Sequence, residues 1–223
     1  MIWHETASPA VIVMLTQTHE AGREKCFQYF PRSLSDPALA INEHDEFADG
    51  FVATVTLLSL TEDAATRSTI REMELRTRDG AAKRVWHLLF AGWPDFLVPE
   101  GEDRAALLRL VALSAAKNED SASPRVVHCS AGVGRSGTFI ALDWLLGELD
   151  EGCLDLVEDE YDPVAEVVDR LRQQRMMMVQ GEQQFSFLYD VLKVLWIERW
   201  RQRSEGGGDG QADEAQSSSA ERP

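Results

Sequence analysis

Apolar and polar positions along the 223-residue chain change period near its middle, and each pattern predicts an element. Residues 9–15 contain Ala-Val-Ile-Val-Met-Leu, a continuous apolar run too short for a helix and rich in β-branched side chains, so a buried strand is expected. Residues 17–25 form a polar connection, and residues 26–30 predict a second short strand ended by Pro31. Between residues 34 and 50 lie Asp36, Glu43, Asp45, Glu46 and Asp49 with no Lys or Arg, the pattern of a solvated surface loop. Three more strands follow at 51–60, 69–77 and 83–90, the last two joined by an Asp79-Gly80 turn, and these neighbours are expected to pair antiparallel.

After Trp93-Pro94-Asp95 the period lengthens to that of helices. Residues 103–117 bring Leu107, Leu110, Val111 and Ser114 onto one face, and residues 138–149 do the same with Phe139, Leu142, Leu146 and Leu149. Asp162 and Pro163 supply an N-cap and a first-turn proline for a helix with Val164, Val167, Val168 and Leu171 buried. A final helix is expected over residues 184–201, striped by Leu188, Val191, Leu192 and Leu195. Only residues 125–128 interrupt this half, returning as a buried strand. The fold class is therefore α/β, a twisted mixed β-sheet flanked by helices, in one domain over residues 1–203. From Ser204 onward the chain is Gly, Ser, Asp, Glu and Gln, too polar to bury a core, and a disordered tail is expected over 204–223.

Composition narrows the function classes. Twenty-two Lys and Arg against 38 Asp and Glu leave a net charge of -16, which argues against nucleic acid or an anionic membrane as partner. No stretch approaches the ~18–20 apolar residues of a membrane span, and Met-Ile-Trp-His-Glu is not a signal peptide, so a cytoplasmic or nuclear protein is expected. Cys26, Cys129 and Cys153 are odd in number and widely spaced, with neither metal-ligand spacing nor a disulfide framework.

Chemistry concentrates at residues 127–137, Val-His-Cys-Ser-Ala-Gly-Val-Gly-Arg-Ser-Gly. Between Cys129 and Arg135 stand only Ser130, Ala131, Gly132, Val133 and Gly134, small enough for the backbone to curl and aim successive N–H groups at one anion. The helix that follows adds its electropositive N-terminus, where a thiol loses its proton more readily, making Cys129 an expected thiolate nucleophile. A lone cysteine is otherwise most often a small buried hydrophobe, but that role needs neither the glycines nor an arginine. A planar guanidinium at Arg135 suits the binding of two phosphate oxygens at once.

This stretch resembles the signature of the protein tyrosine phosphatases, tyrosine-specific and non-receptor in type, and matches it at every position. The resemblance implies hydrolysis of phosphotyrosine in proteins through a cysteinyl-phosphate, with no metal and no cofactor, in signal transduction. It assigns Asp95, in Trp93-Pro94-Asp95, as the acid that protonates the leaving tyrosine; taken alone, the tripeptide reads equally as an aromatic beside a proline turn. Leu97 stands where the family commonly has a glycine. Ser136 resembles the hydroxyl that eases thiolate departure, and read alone it is a helix cap. His128 resembles the histidine that orients the cysteine loop, with Tyr29 its bonded partner. Glu20 resembles the glutamate that pairs with the signature arginine and Lys25 the lysine that approaches the acid loop, although the bare residues are a charged turn. Residues 175–184 resemble the glutamine loop: Arg175 opens it, Gln180 would place the hydrolytic water, Gln184 is the second glutamine, and Gly181 replaces a threonine. Its methionine run alone would be core filler.

The resemblance covers residues 1–201 and enters late, so the chain is expected to lack the family's N-terminal segment and the Lys-Asn-Arg-Tyr type loop that walls the phosphotyrosine slot. Two other classes stay in view, a weakly catalytic phosphotyrosine-binding module and a dual-specificity phosphatase or arsenate reductase. Intact Cys129, Asp95 and Gln180 oppose the first; the Trp-Pro-Asp and glutamine loops oppose the second.

Overall fold

A computed structural model describes residues 1–46, 48–94, 97–158 and 160–206. Continuous apolar strands need cover on both faces, and β1 (Ala10–Met14) is buried at every position. It runs between β7 (Ala82–Phe90) and β8 (Val126–His128), parallel to both, with Ile12 opposite His87 on one side and Val126 on the other. The rest of the sheet is an antiparallel meander of β4 (Ala38–Ile41), β5 (Ala53–Asp63), β6 (Ser68–Thr77) and β7, giving the order β4-β5-β6-β7-β1-β8. Gly80, at φ 89°, makes the expected turn between β6 and β7, its amide bonded to the Thr77 carbonyl at 3.0 Å.

Alternate residues of β1 feed two cores. Val11 and Val13 join the side covered by α2 (Gly101–Lys117), α3 (Gly134–Glu151), α4 (Pro163–Gln174) and α5 (Glu182–Gly206), where Leu107, Leu110, Phe139, Leu142 and Leu188 are buried. Ala10, Ile12 and Met14 join the other side, with Phe30, Val55, Leu57, Met73 and Leu75. That second face is covered thinly, by the short α1 (Ile2–Glu5) and by Phe51, and keeps a cavity of about 300 Å³ lined by Trp3, Ile12, Val55 and Met73. Lys83 pins α1 to the sheet: its ammonium donates to the carbonyls of Ile2 (3.1 Å), Trp3 (2.8 Å) and Thr6, and the Thr6 hydroxyl shares the Ile2 carbonyl at 2.7 Å. Among the described residues no helix is long and apolar enough to cross a membrane.

Several boundaries differ from the sequence patterns. Residues 26–30 are not a strand, because Phe30 turns inward as a plug, 3% exposed, with its ring 4.4 Å from that of His87 and the Arg71 guanidinium 4.5 Å above it. The polar connection before it holds a hairpin instead, β2 (His19–Glu20) and β3 (Arg23–Glu24), turned by Ala21 and Gly22, both at positive φ. The acidic loop contains β4, whose Leu39 and Ile41 lie against the β5 edge. Helix α3 starts four residues earlier than its apolar stripe, since Gly134 to Gly137 wind as its first turn. Helix α5 passes Ser204 and reaches Gly206, so residues 204–206 are helical rather than tail; residues 207–223 lie outside the described residues. The α4 cap is as expected, with Asp162 accepting from the Val164 and Ala165 amides at 3.1 and 3.0 Å.

Candidate active site

β8 ends where the parallel half of the sheet meets the start of α3, and it delivers Cys129 into the loop between them. The Leu15 amide holds the strand end through the His128 carbonyl at 2.9 Å. Cys129 is 8% exposed and its Sγ accepts the Gly132 amide at 3.3 Å, across a turn that Gly132 makes at φ 72°. From Ser130 the loop passes Ala131, whose carbonyl is bound by Arg175 Nη2 at 3.1 Å, to Val133, whose carbonyl accepts the amides of Gly137 (3.0 Å) and Val179 (3.1 Å).

Arg135 lies in the first turn of α3, 6% exposed. Its Nη1 and Nη2 donate to Glu20 Oε1 and Oε2 at 2.7 and 3.0 Å, and Nη1 also reaches the Leu15 carbonyl at 3.1 Å. A fork-to-fork pair of this kind fixes the plane of the guanidinium. Glu20 in turn accepts from Thr16 Oγ1 at 3.0 Å and the Gln17 amide at 3.1 Å. Burial works to raise its pKa, but the bonds from Arg135 and Gln17 outweigh it and hold the carboxyl below its usual range. Lys25 follows on the same hairpin, its amide bonded to the Thr18 carbonyl at 2.8 Å. Ser136 is 1% exposed, and its hydroxyl has no partner among the described residues.

Behind the loop runs a chain of neutral groups. His128 Nδ1 stands 3.1 Å from the Cys129 carbonyl, its Nε2 lies 2.6 Å from Tyr29 Oη, and that oxygen lies 3.0 Å from His87 Nε2. Donor counting assigns the protons: Nδ1–H of His128 donates to the carbonyl, so Nε2 accepts from the tyrosine, whose oxygen accepts from His87 Nε2–H. This leaves His87 Nδ1 bare, in keeping with its having no partner among the described residues. Burial lowers both histidines below their usual range and raises the tyrosine, so all three stay uncharged.

Gln180 and Gln184 close over the loop. A Cβ placed on Gly134 would stand 3.1 Å from the Gln184 amide group and 3.5 Å from Gln180 Oε1, so both glutamines reach the loop only because residue 134 has no side chain. Their segment is held in an unusual backbone: Met177 and Val179 have φ of 68° and 57°, costly for a β-branched residue. Arg172 stabilises it by donating to the carbonyls of Met178 and Val179, each at 2.9 Å.

Trp93 is 3% exposed, shares the helix-side core with Cys129, and donates from Nε1 to the Leu97 carbonyl at 3.0 Å. Asp95, the expected acid, lies outside the described residues. Sequence patterns did not single out Thr16, His87, Gly137, Arg172 or Val179. His87, Gly137 and Val179 act through contacts far along the chain, Thr16 and Arg172 through bonds four to seven residues on that leave no periodic pattern, and only the run of small residues after Cys129 hinted at close packing there.

A thiol at a strand end, an amide loop and an ion-paired arginine opening a helix are the parts of a cysteine-dependent phosphatase. The protein-tyrosine phosphatase family model matches residues 1–193. Tyrosine-protein phosphatase 2 of Schizosaccharomyces pombe is 37% identical over 198 residues, covering 87% of this chain and 26% of that protein. Tyrosine-protein phosphatase 1 of Saccharomyces cerevisiae is 36% identical over 205 residues, covering 83% of this chain and 60% of that one. The crystal structure of a Trypanosoma brucei protein tyrosine phosphatase matches with a TM-score of 0.71 at 28% identity, over 87% of this chain and 62% of that chain. The chain belongs to the protein-tyrosine phosphatase family, and it spans less than two thirds of the length of each of these relatives.

Proposed function

We propose that this chain hydrolyses phosphotyrosine in proteins through a cysteinyl-phosphate intermediate. The observation that carries the reading is the Cys129 sulfur, bound by a loop amide at 3.3 Å beside an arginine whose plane Glu20 fixes. In this scheme the Cys129 thiolate attacks phosphorus while the bond to the tyrosine oxygen breaks. A phenol has a pKa of ~10, so its anion leaves poorly at neutral pH, and Asp95 supplies the proton. Arg135 and the amides from Ser130 to Gly134 carry the charge on the three remaining oxygens. A water positioned by Gln180 then attacks phosphorus and gives its proton back to Asp95. The sulfur departs as a thiolate, stabilised by the unpartnered Ser136 hydroxyl, and inorganic phosphate is released.

No step calls for a metal or cofactor. The substrates of this reading are phosphotyrosine-bearing proteins of signalling pathways, met in the cytoplasm or nucleus, and its catalytic unit is residues 1–203. Mass spectrometry of the chain quenched during turnover tests it, with phosphate expected on Cys129 alone. Cys129→Ser should abolish turnover and retain binding of an aryl phosphate; turnover by that variant would move the nucleophile elsewhere.

A further inference from the structure

The segment that leads to Asp95 leaves β7 through Ala91 and Gly92, and Gly92 is wedged. A Cβ there would stand 2.2 Å from Asp103 Oδ1, 2.8 Å from Asp103 Cγ and 2.8 Å from Phe90 Cζ. The phenyl ring, 1% exposed in the core, cannot move aside cheaply. The carboxylate could swing away on its own, and Arg67 restrains it only as a partly exposed ion pair, Nε 3.0 Å from Oδ1 without a hydrogen bond. The backbone that carries Arg67 is fixed. It sits at φ 48° in the turn between β5 and β6, where Asp63 accepts from the Thr66 amide at 3.0 Å and from the Thr66 hydroxyl at 2.5 Å. Arg109 of α2 holds the same turn through the Ala65 carbonyl at 3.1 Å, and the Arg67 carbonyl accepts the Ala91 amide at 3.5 Å. Three elements thus converge on one backbone position: the β5–β6 turn, the first turn of α2, and the exit from β7.

We infer that Arg67 and Asp103 are positioning residues for the proton-transfer step, acting by fixing where the backbone at Gly92 leaves the sheet on its way to Asp95. The inference rests on the reading of Asp95 as general acid. Neither residue touches the phosphate loop in the contacts described above, so binding of the phosphate and attack by Cys129 do not depend on them. What they set is the direction in which Trp93 and Pro94 depart, and so the point from which an acid three residues past Gly92 can reach the leaving oxygen. A displacement of about 1 Å at a catalytic group can cost up to ~10²-fold in rate. The site has no role in binding phosphate, so its disturbance should fall on kcat for substrates that need the acid and leave KM alone.

The test uses residues 1–223 with two substrates, phenyl phosphate, whose leaving group needs a proton, and 2,4-dinitrophenyl phosphate, whose leaving group does not. Gly92→Ala is expected to lower kcat on phenyl phosphate by about tenfold or more, and on the dinitrophenyl ester by less than about threefold. Arg67→Ala, which alters only an exposed side chain and covers the case that Gly92→Ala fails to fold, should show the same split with a smaller amplitude. Asp95→Asn is measured in parallel. If Asp95→Asn shows the split and neither Gly92→Ala nor Arg67→Ala does, or if both lower the two rates equally, the positioning role is overturned while the acid assignment stands. If Asp95→Asn itself affects both substrates equally, the acid lies elsewhere and the inference falls with that reading.

Discussion

Replacing Gly137 by alanine probes how closely the first turn of α3 is fitted to the segment carrying Gln180. A Cβ at residue 137 would stand 2.5 Å from the Val179 amide nitrogen and 3.2 Å from two backbone carbons of Met178. These atoms cannot swing aside as a side chain would, because Arg172 holds both carbonyls at 2.9 Å. Alanine inside a helix is favoured over glycine by about 1 kcal/mol. Against that, overpacking costs about 1–3 kcal/mol, and losing the bond from the Val179 amide to the Val133 carbonyl adds about 1 kcal/mol. The steric side wins, with a net destabilisation of about 1–3 kcal/mol. Gly147 lies on the same helix with nothing within 4 Å of its Cβ position, so Gly147→Ala should stabilise by about 0.5–1 kcal/mol. In a chain of this size 1 kcal/mol moves Tm by about 2–4 °C, so thermal melts followed by circular dichroism should place the two variants on opposite sides of wild type, more than about 4 °C apart. Pre-steady-state kinetics should keep the burst of released phenol in Gly137→Ala, since Cys129 is untouched, while the steady state slows because Gln180 follows the displaced Val179. A Gly137→Ala protein that melts at or above wild type would refute the close fit.

Glu20→Gln removes the charge of the carboxylate that forks onto the buried Arg135 guanidinium and should cost on the order of 3 kcal/mol in urea unfolding, with loss of phosphate affinity. The folded Glu20 carboxyl lies below its unfolded value of 4.5, so its contribution is present above that pH and is lost as pH falls through the folded value; the variant should lack this part of the acid slope. His87 and His128 act higher on the scale. Burial lowers both below 6.5, so the unfolded chain binds protons that the folded chain does not, and stability should decline as pH drops from 6.5. His87→Gln removes one of these protons and should flatten the decline between pH 6.5 and 5, read from urea midpoints against pH; an unchanged slope would show that His87 is charged in the folded state.

Elements whose cause is local could be read from residue order. The β1 run, the Asp162-Pro163 cap and the small-residue loop after Cys129 each contain their own reason; the first two stand where they were expected, and the third winds into α3 at Gly134. Residues 26–30 show the opposite case. Their aromatics look like half of a strand pattern, but Phe30 is drawn down by His87 and Arg71, which lie far along the chain. The β2–β3 hairpin has strands of two residues each, too short to leave a period, and it exists because Glu20 must meet Arg135. Within the site, the residues that touch phosphate in the proposed scheme were visible as types in a motif. Of their supports, Glu20, His128 and Tyr29 came only with the family resemblance, and the need for glycine at 134 and 137 was not visible, because it arises from the 177–184 segment closing over them.

The placement of β1 also sets an order of assembly. β5, β6 and β7 are joined by short turns and β4 by a local loop, so they can pair as the chain closes on itself, whereas β1 must find Val85 on one side and Val126 on the other, both distant in sequence. Non-local parallel pairings close the largest loops and form slowly. Cys129 follows β8 directly, so the phosphate loop is expected to form only once these non-local pairings are made. During refolding, sheet and helix signals should therefore appear before any turnover, and a chain caught between these stages would hold a nearly complete fold around a thiol that cannot yet react as an enzyme's.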